Sequence, residues 1–180
     1  LIGRKAEMTQ LSEAIENLSQ GKGSVYSIIG AAGTGKSRLV DEFKARLDLD
    51  NIQWREGNSF AYAQNIPYFP LIDLISKAIQ INEGDSPETV KEKLESSLEV
   101  LIGEKQDIAP YIGSLYSLDY PEIDEVSPEF WKAELRKAIL MVLSALAQKA
   151  PTVVCLEDLH WADPSTLELV HFLLTEIRHP

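Results

Sequence analysis

The sequence predicts an α/β fold in three layers, α/β/α, with a mainly parallel sheet and a helical insertion. Three observations predict it. A glycine-rich loop, Gly30-Ala31-Ala32-Gly33-Thr34-Gly35-Lys36-Ser37, stands between a β-branched run and an amphipathic helix pattern. A second strand pattern, Asn51 to Gly57, is followed by a long helical stretch. A continuously apolar run, Thr152 to Leu156, ends on Glu157 and Asp158 and leads into a last helix, the order expected of parallel strands joined by helical crossovers.

Taken in chain order, Ala6 to Gln20 repeats apolar residues at Met8, Leu11, Ile15 and Leu18, with Glu7 and Glu13 near the start, and reads as a docking helix. Ser24-Val25-Tyr26-Ser27-Ile28-Ile29 follows the turn-like Gly21-Lys22-Gly23 and reads as a buried first strand. Ser37 to Leu47 carries Leu39, Val40, Phe43 and Leu47 at helical spacing. The second strand opens into a loop rich in aromatics, from Asn58 to Pro70, of a kind that packs on the body of a domain. About three helices then occupy residues 67–150. Ser86-Pro87 starts one and Ser127-Pro128 another, serine as the cap and proline at the first helical position. The stripe of the latter is Trp131, Leu135, Ala138, Ile139, Val142 and Leu146. The strand from Thr152 is expected to be buried on both faces. Asp163 caps a last helix opened by Pro164, with Leu167, Val170, Leu174 and Ile177 as its expected stripe.

The 180 residues make one domain, residues 1–180, with a net charge of −11. That balance, with no basic run, excludes a nucleic-acid backbone as partner. The lone Cys155 forms no intrachain disulfide, and a reducing cytoplasm is the expected compartment. No apolar stretch approaches the roughly 18 residues needed to span a bilayer, so no membrane is expected. The three histidines and one cysteine do not fall at metal-ligand spacing.

The glycine loop fits G-x-x-x-x-G-K-[ST]. Its backbone N–H groups turn around phosphate oxygens, the next helix presents its positive end, Lys36 reaches the β/γ-phosphates and Ser37 is left for Mg2+. Phosphoryl transfer is mostly positioning and charge neutralisation, so a second half of the site must supply acids. Glu157 and Asp158 do so at the carboxyl end of a strand, where ligands of α/β sheets bind. Adjacent strand residues face opposite ways, so both acids serve one site only if the chain bends at or just after Leu156. Glu157 is expected to act through Mg2+ and Asp158, as the catalytic acid, through water. His160 reads as a loop hydrogen-bond residue. Arg4, Arg38, Arg55 and Arg178 are charges that phosphates could use, each equally at home on a surface.

Gly30 to Ser37 resembles a Walker A motif and Val153 to Asp158 a Walker B motif. The string Leu156-Glu157-Asp158-Leu159-His160-Trp161-Ala162-Asp163-Pro164 is similar to the AAA/STAND-type P-loop ATPase modules of bacterial adenylate cyclases and of LuxR- and MalT-like regulators. The opening Leu1-Ile2-Gly3-Arg4-Lys5-Ala6-Glu7 also resembles that family, in which this segment lines the adenine pocket, so Ile2, Gly3 and Arg4 join the loop residues and Arg38 as expected nucleotide contacts. The resemblance implies ATP or ADP with Mg2+, and a regulatory switch in a multidomain signalling protein. It also implies attached C-terminal lid and output domains, and nucleotide-dependent self-association. It further implies a strand carrying a sensor residue after the point where this chain stops, lying between the two Walker strands, and hence a C-terminally incomplete fold. The order Glu157 then Asp158 departs from the broader Asp-then-Glu pattern and implies slow hydrolysis. A nucleotide-binding scaffold without hydrolysis is the alternative from another class, with a P-loop kinase and a GTPase behind it. The nearest guanine-reading string, Glu104-Lys105-Gln106-Asp107, lacks its first residue and follows a helix.

Overall fold

The computed structural model describes residues 3–103 and 108–178, and for Ile177 and Arg178 the backbone only. Leu1, Ile2 and the string from Glu104 to Asp107 lie outside the described residues. The elements are α1 (Lys5–Ser19), α2 (Lys36–Lys44), β1 (Gln53–Asn58), α3 (Phe69–Ile79), α4 (Pro87–Ile102), α5 (Ala109–Ser114), α6 (Pro128–Lys149), β2 (Thr152–Glu157) and α7 (Pro164–Arg178). The strands β1 and β2 pair in parallel, from Gln53 opposite Thr152 to Asn58 opposite Glu157.

Side chains alternate across this pair and define its two covered faces. Trp54 packs into a cluster of Met8, Leu11, Leu39 and Phe43, which joins α1 to α2. The opposite face meets the larger core. There α3 lies so close to β1 that a Cβ on Gly57 would overlap the Pro70 carbonyl oxygen. Leu74, Leu94, Ile112, Leu135, Ala138 and Leu169 fill that core, and Leu156 packs against it from β2. The helix caps stand where the Ser-Pro signals put them: Ser86 Oγ accepts from Thr89 N and Ser127 Oγ from Phe130 N, both at 3.3 Å. A fourth short helix, α5, adds to the three expected, held by Ile112 in the core and by Gly113, whose missing side chain makes room for the Tyr120 ring.

Three expectations are corrected. Residues 22–30 form no strand: Val25, Tyr26 and Ile29 are exposed, Ile29 at 90%, and only Ile28 touches the α1–α2 cluster. A β-branched run becomes a strand only where a neighbour offers backbone partners, and among the described residues β1 and β2 pair solely with each other. For the same reason β2 is half-buried rather than sealed on both faces, with Val154 exposed. The buried face of α7 is Thr166, Leu169 and Leu173, one position away from the expected stripe, and Leu167 is exposed. Asp163 sets that rotation. Its Oδ1 accepts from Ser165 N and Thr166 N at 2.9 and 3.1 Å, while its Oδ2 takes the Thr166 hydroxyl, so Thr166 is drawn inward with the cap.

The link between α2 and β1 is polar as well as apolar. Lys44 Nζ and Trp54 Nε1 both donate to Glu56 Oε2 at 2.9 Å, with Asn58 Nδ2 on the other oxygen. Burial pushes the Glu56 carboxyl up, but these donors outweigh it and bring its pKa down from 4.5 to about 2. A carboxylate with a lowered folded-state pKa contributes stability above its unfolded value and loses it as pH falls. Chemical denaturation should therefore show wild type more stable than Glu56→Gln at neutral pH, the gap closing between pH 4.5 and about 2. Gly57→Ala should cost about 1–3 kcal/mol in the same assay, since α3 must move off β1 to admit a methyl group.

Candidate functional site

The loop from Gly30 to Ser37 is shaped by its glycines. Gly33 and Gly35 have φ of 77° and 79°, a region that side chains disfavour. At Gly30 the constraint is contact, since a Cβ there would lie 2.7 Å from Thr34 Oγ1. Thr34 closes the turn through its N–H and hydroxyl, both donating to Ala31 O. Lys36 then opens α2, and its Nζ reaches back to Gly30 O at 3.0 Å and Ala31 O at 3.3 Å. The amine is thus held over the loop while Ala31, Ala32, Gly33 and Thr34 stay exposed. Gly35 caps α2 without a side-chain acceptor, so its first-turn N–H groups are available to an anion.

Arg4 stands beside this loop, its Nη2 donating to Thr34 O at 2.7 Å and its Nη1 to Glu7 at 3.4 Å. Gly3, with φ of 87°, precedes it, and Ile2 lies outside the described residues. Arg38 is paired with Glu42 at 3.2 Å and its side chain is 73% exposed. Arg55 is not at this site. It lies on the face of β1 that meets the α3–α4–α6 layer.

Glu157 is the last residue of β2, opposite Asn58, with the Ser37 side chain at the head of α2 near enough to favour its charged form. The two expected metal-site residues are therefore neighbours. Burial, then the neighbouring Glu56 charge, raise the Glu157 pKa. The nearby Ser37 hydroxyl works against them, and Asp41 and Asp158 add to the repulsion. A divalent cation suits that surplus of negative charge. No three His, Cys, Asp or Glu side chains converge as a metal cage among the described residues. Mg2+ is commonly held by one or two carboxylates with phosphate and water as its other ligands.

The chain bends directly after Glu157, at Asp158, which has φ of 53° and ψ of 38°. Short polar side chains tolerate this left-handed conformation best, and non-glycine residues held in it cluster at functional sites. It swings the chain out of β2 into the turn Leu159–Trp161. His160 Nδ1 lies 3.7 Å from Asp158 Oδ1, and its ring rests 4.9 Å from that of Trp161, in keeping with a loop role.

Sequence reasoning missed two connections. Asp163, read as a cap, also accepts from Tyr68 N at 3.0 Å, which holds Tyr68 at φ of 62° and ties the loop after β1 to the segment that follows β2. Asp73 accepts from Asn58 N at 2.8 Å and from Lys77 at 2.7 Å, fixing the end of β1. Neither pair has a sequence signal, because each joins residues far apart in the chain. The aromatic loop packs only in part. Tyr68 is buried against Trp131, whereas Phe60, Tyr62 and Phe69 stack on one another and Tyr62 is 77% exposed. Cys155 is inert, its thiol pushed up to about 12 by burial and by the charges of Glu157 and Glu56.

The family model "AAA ATPase domain" matches residues 1–180. An uncharacterized protein of Rhizobium meliloti (strain 1021) is 25% identical over 182 residues, covering 94% of this chain but 16% of its own length. No solved structure matches. With a phosphate loop, a facing carboxylate and a family match over its whole length, the chain belongs to the AAA ATPase domain family, whose members are nucleotide-binding P-loop proteins.

Proposed function

We propose that this domain binds Mg-ATP and hydrolyses it slowly, as a switch module within a larger signalling or regulatory protein. The observation that carries the reading is the nearness of the Ser37 side chain to Glu157, which puts the two halves of the site side by side. The exposed loop backbone and Lys36 take the β- and γ-phosphates, and Arg4 stands where the adenine end would approach. Ser37 and Glu157 would hold Mg2+, which would neutralise phosphate charge. Asp158, turned out of the strand, orients the attacking water. Glutamate in the first acid position and the shorter aspartate in the second accord with slow turnover. A chain that spans 16% of its relative's length is in keeping with one module among several. Attached lid and output domains, and self-association when nucleotide is bound, belong to this proposal.

Calorimetry should show Lys36→Ala binding Mg-ATP about ten- to hundredfold more weakly, equivalent to about 1.5–3 kcal/mol of charge-assisted hydrogen bonds, while the variant stays folded. Unchanged affinity would refute the assignment of the loop. The two acids should separate by phenotype. Glu157→Gln should lose the Mg2+-dependent part of ATP binding, and Asp158→Asn should keep binding while single-turnover hydrolysis by the parent protein falls about 10²-fold. Binding without any single-turnover hydrolysis in the wild type would instead make the domain a nucleotide-dependent scaffold.

A further inference from the structure

At the N-terminal end of the strands, away from the phosphate loop, a cavity of about 450 Å3 opens between the start of β1 and the helical layer. It falls within the range of small-molecule sites, about 300–1,000 Å3. Its walls are aliphatic: Leu74 and Ile79 from α3, Leu98 and Leu101 from α4, and Val142 and Leu146 from α6. Its charged lining is of one sign. Arg55 and Lys149 contribute to it, and no Asp or Glu does among the described residues. In a chain with a net charge of −11 that exclusion is selective.

The guanidinium of Arg55 is incompletely satisfied. One Nη donates to Gln53 Oε1 at 3.0 Å, while Nε is sealed from solvent and has no acceptor. Arg55 forms no ion pair among the described residues. Nε is out of a ligand's reach, so the outer Nη edge of the guanidinium is what a ligand can pair with, and its fork geometry matches a carboxylate. Lys149 Nζ, donating to Val100 O at 3.0 Å, adds a second cation to the lining.

The geometry points to a second ligand site on this domain, for a medium-chain aliphatic carboxylate whose head pairs with Arg55 and whose tail fills the aliphatic space among α3, α4 and α6. The site requires no nucleotide and is independent of the phosphate loop.

The test is calorimetric titration of the 180-residue chain with decanoate below its micelle threshold, with decanol as the uncharged control and Arg55→Gln and Ala78→Phe as variants. Decanoate should bind saturably at one site, about tenfold or more tighter than decanol, and Arg55→Gln should weaken it by a similar factor. Ala78 also lines the cavity, so a phenyl ring there should occlude the tail and abolish binding, while Mg-ATP binding to the same variant stays unchanged and reports that it is folded. Absence of saturable binding by the wild type, equal affinity for acid and alcohol, or decanoate affinity unaffected by either variant would each overturn the proposal.

Discussion

The parallel pairing of β1 with β2 is the constraint on which the rest of the structure depends. Strands that run from Gln53 opposite Thr152 to Asn58 opposite Glu157 come from distant parts of the chain, and a parallel pair needs a long crossover to join them. Helices α3 to α6 form that crossover and bring the large core with them. The register then dictates which side chains share a face. Trp54, Glu56 and Asn58 lie with Val153, Cys155 and Glu157 on the side of α2, which brings Glu157 near Ser37 at the head of that helix. A slip of one residue would turn Glu157 toward the helical layer and leave Ser37 without its acid.

Two of the four non-glycine residues at positive φ among the described residues flank this pair. Asp158 and Tyr68 both sit at positive φ, one just after β2 and the other at the end of the loop that leaves β1. Asp163 holds the two segments together by capping α7 with one oxygen and accepting from Tyr68 N with the other. A bulky tyrosine in the left-handed region persists only when its surroundings fix it, here through that buried bond and the packing of its ring on Trp131. Any rearrangement of the turn after β2 would therefore be felt in the loop that carries Phe60, Tyr62 and Phe69.

Much of this was legible in the sequence, because local signals fix local structure. The glycine loop, the Ser-Pro caps and the acid pair after an apolar run each state their element within a few residues, and each stands where expected. What escaped depended on distant partners. The run from Ser24 to Ile29 has the composition of a strand, yet no neighbour pairs with it among the described residues. The face of α7 followed from a cap that draws Thr166 inward, not from the hydrophobic repeat. Arg55 resembled any surface cation in sequence, and only its place against the helical layer shows an N–H without an acceptor. In the site itself, motif spacing named Lys36, Ser37, Glu157 and Asp158. A bend near Leu156 was expected from strand geometry, and the chain turns at Asp158, with φ of 53°.

The central claim is that the loop serine and the strand-end glutamate form one Mg-nucleotide site. A double-mutant cycle on Mg-ATP affinity, using Ser37→Ala, Glu157→Gln and the combined variant, measures that directly. If the two residues hold one ion, the losses should be strongly non-additive, the second substitution costing little once the first is made. They should also vanish when the titration is repeated without Mg2+. Additive losses, or losses that persist undiminished without the metal, would contradict a shared site.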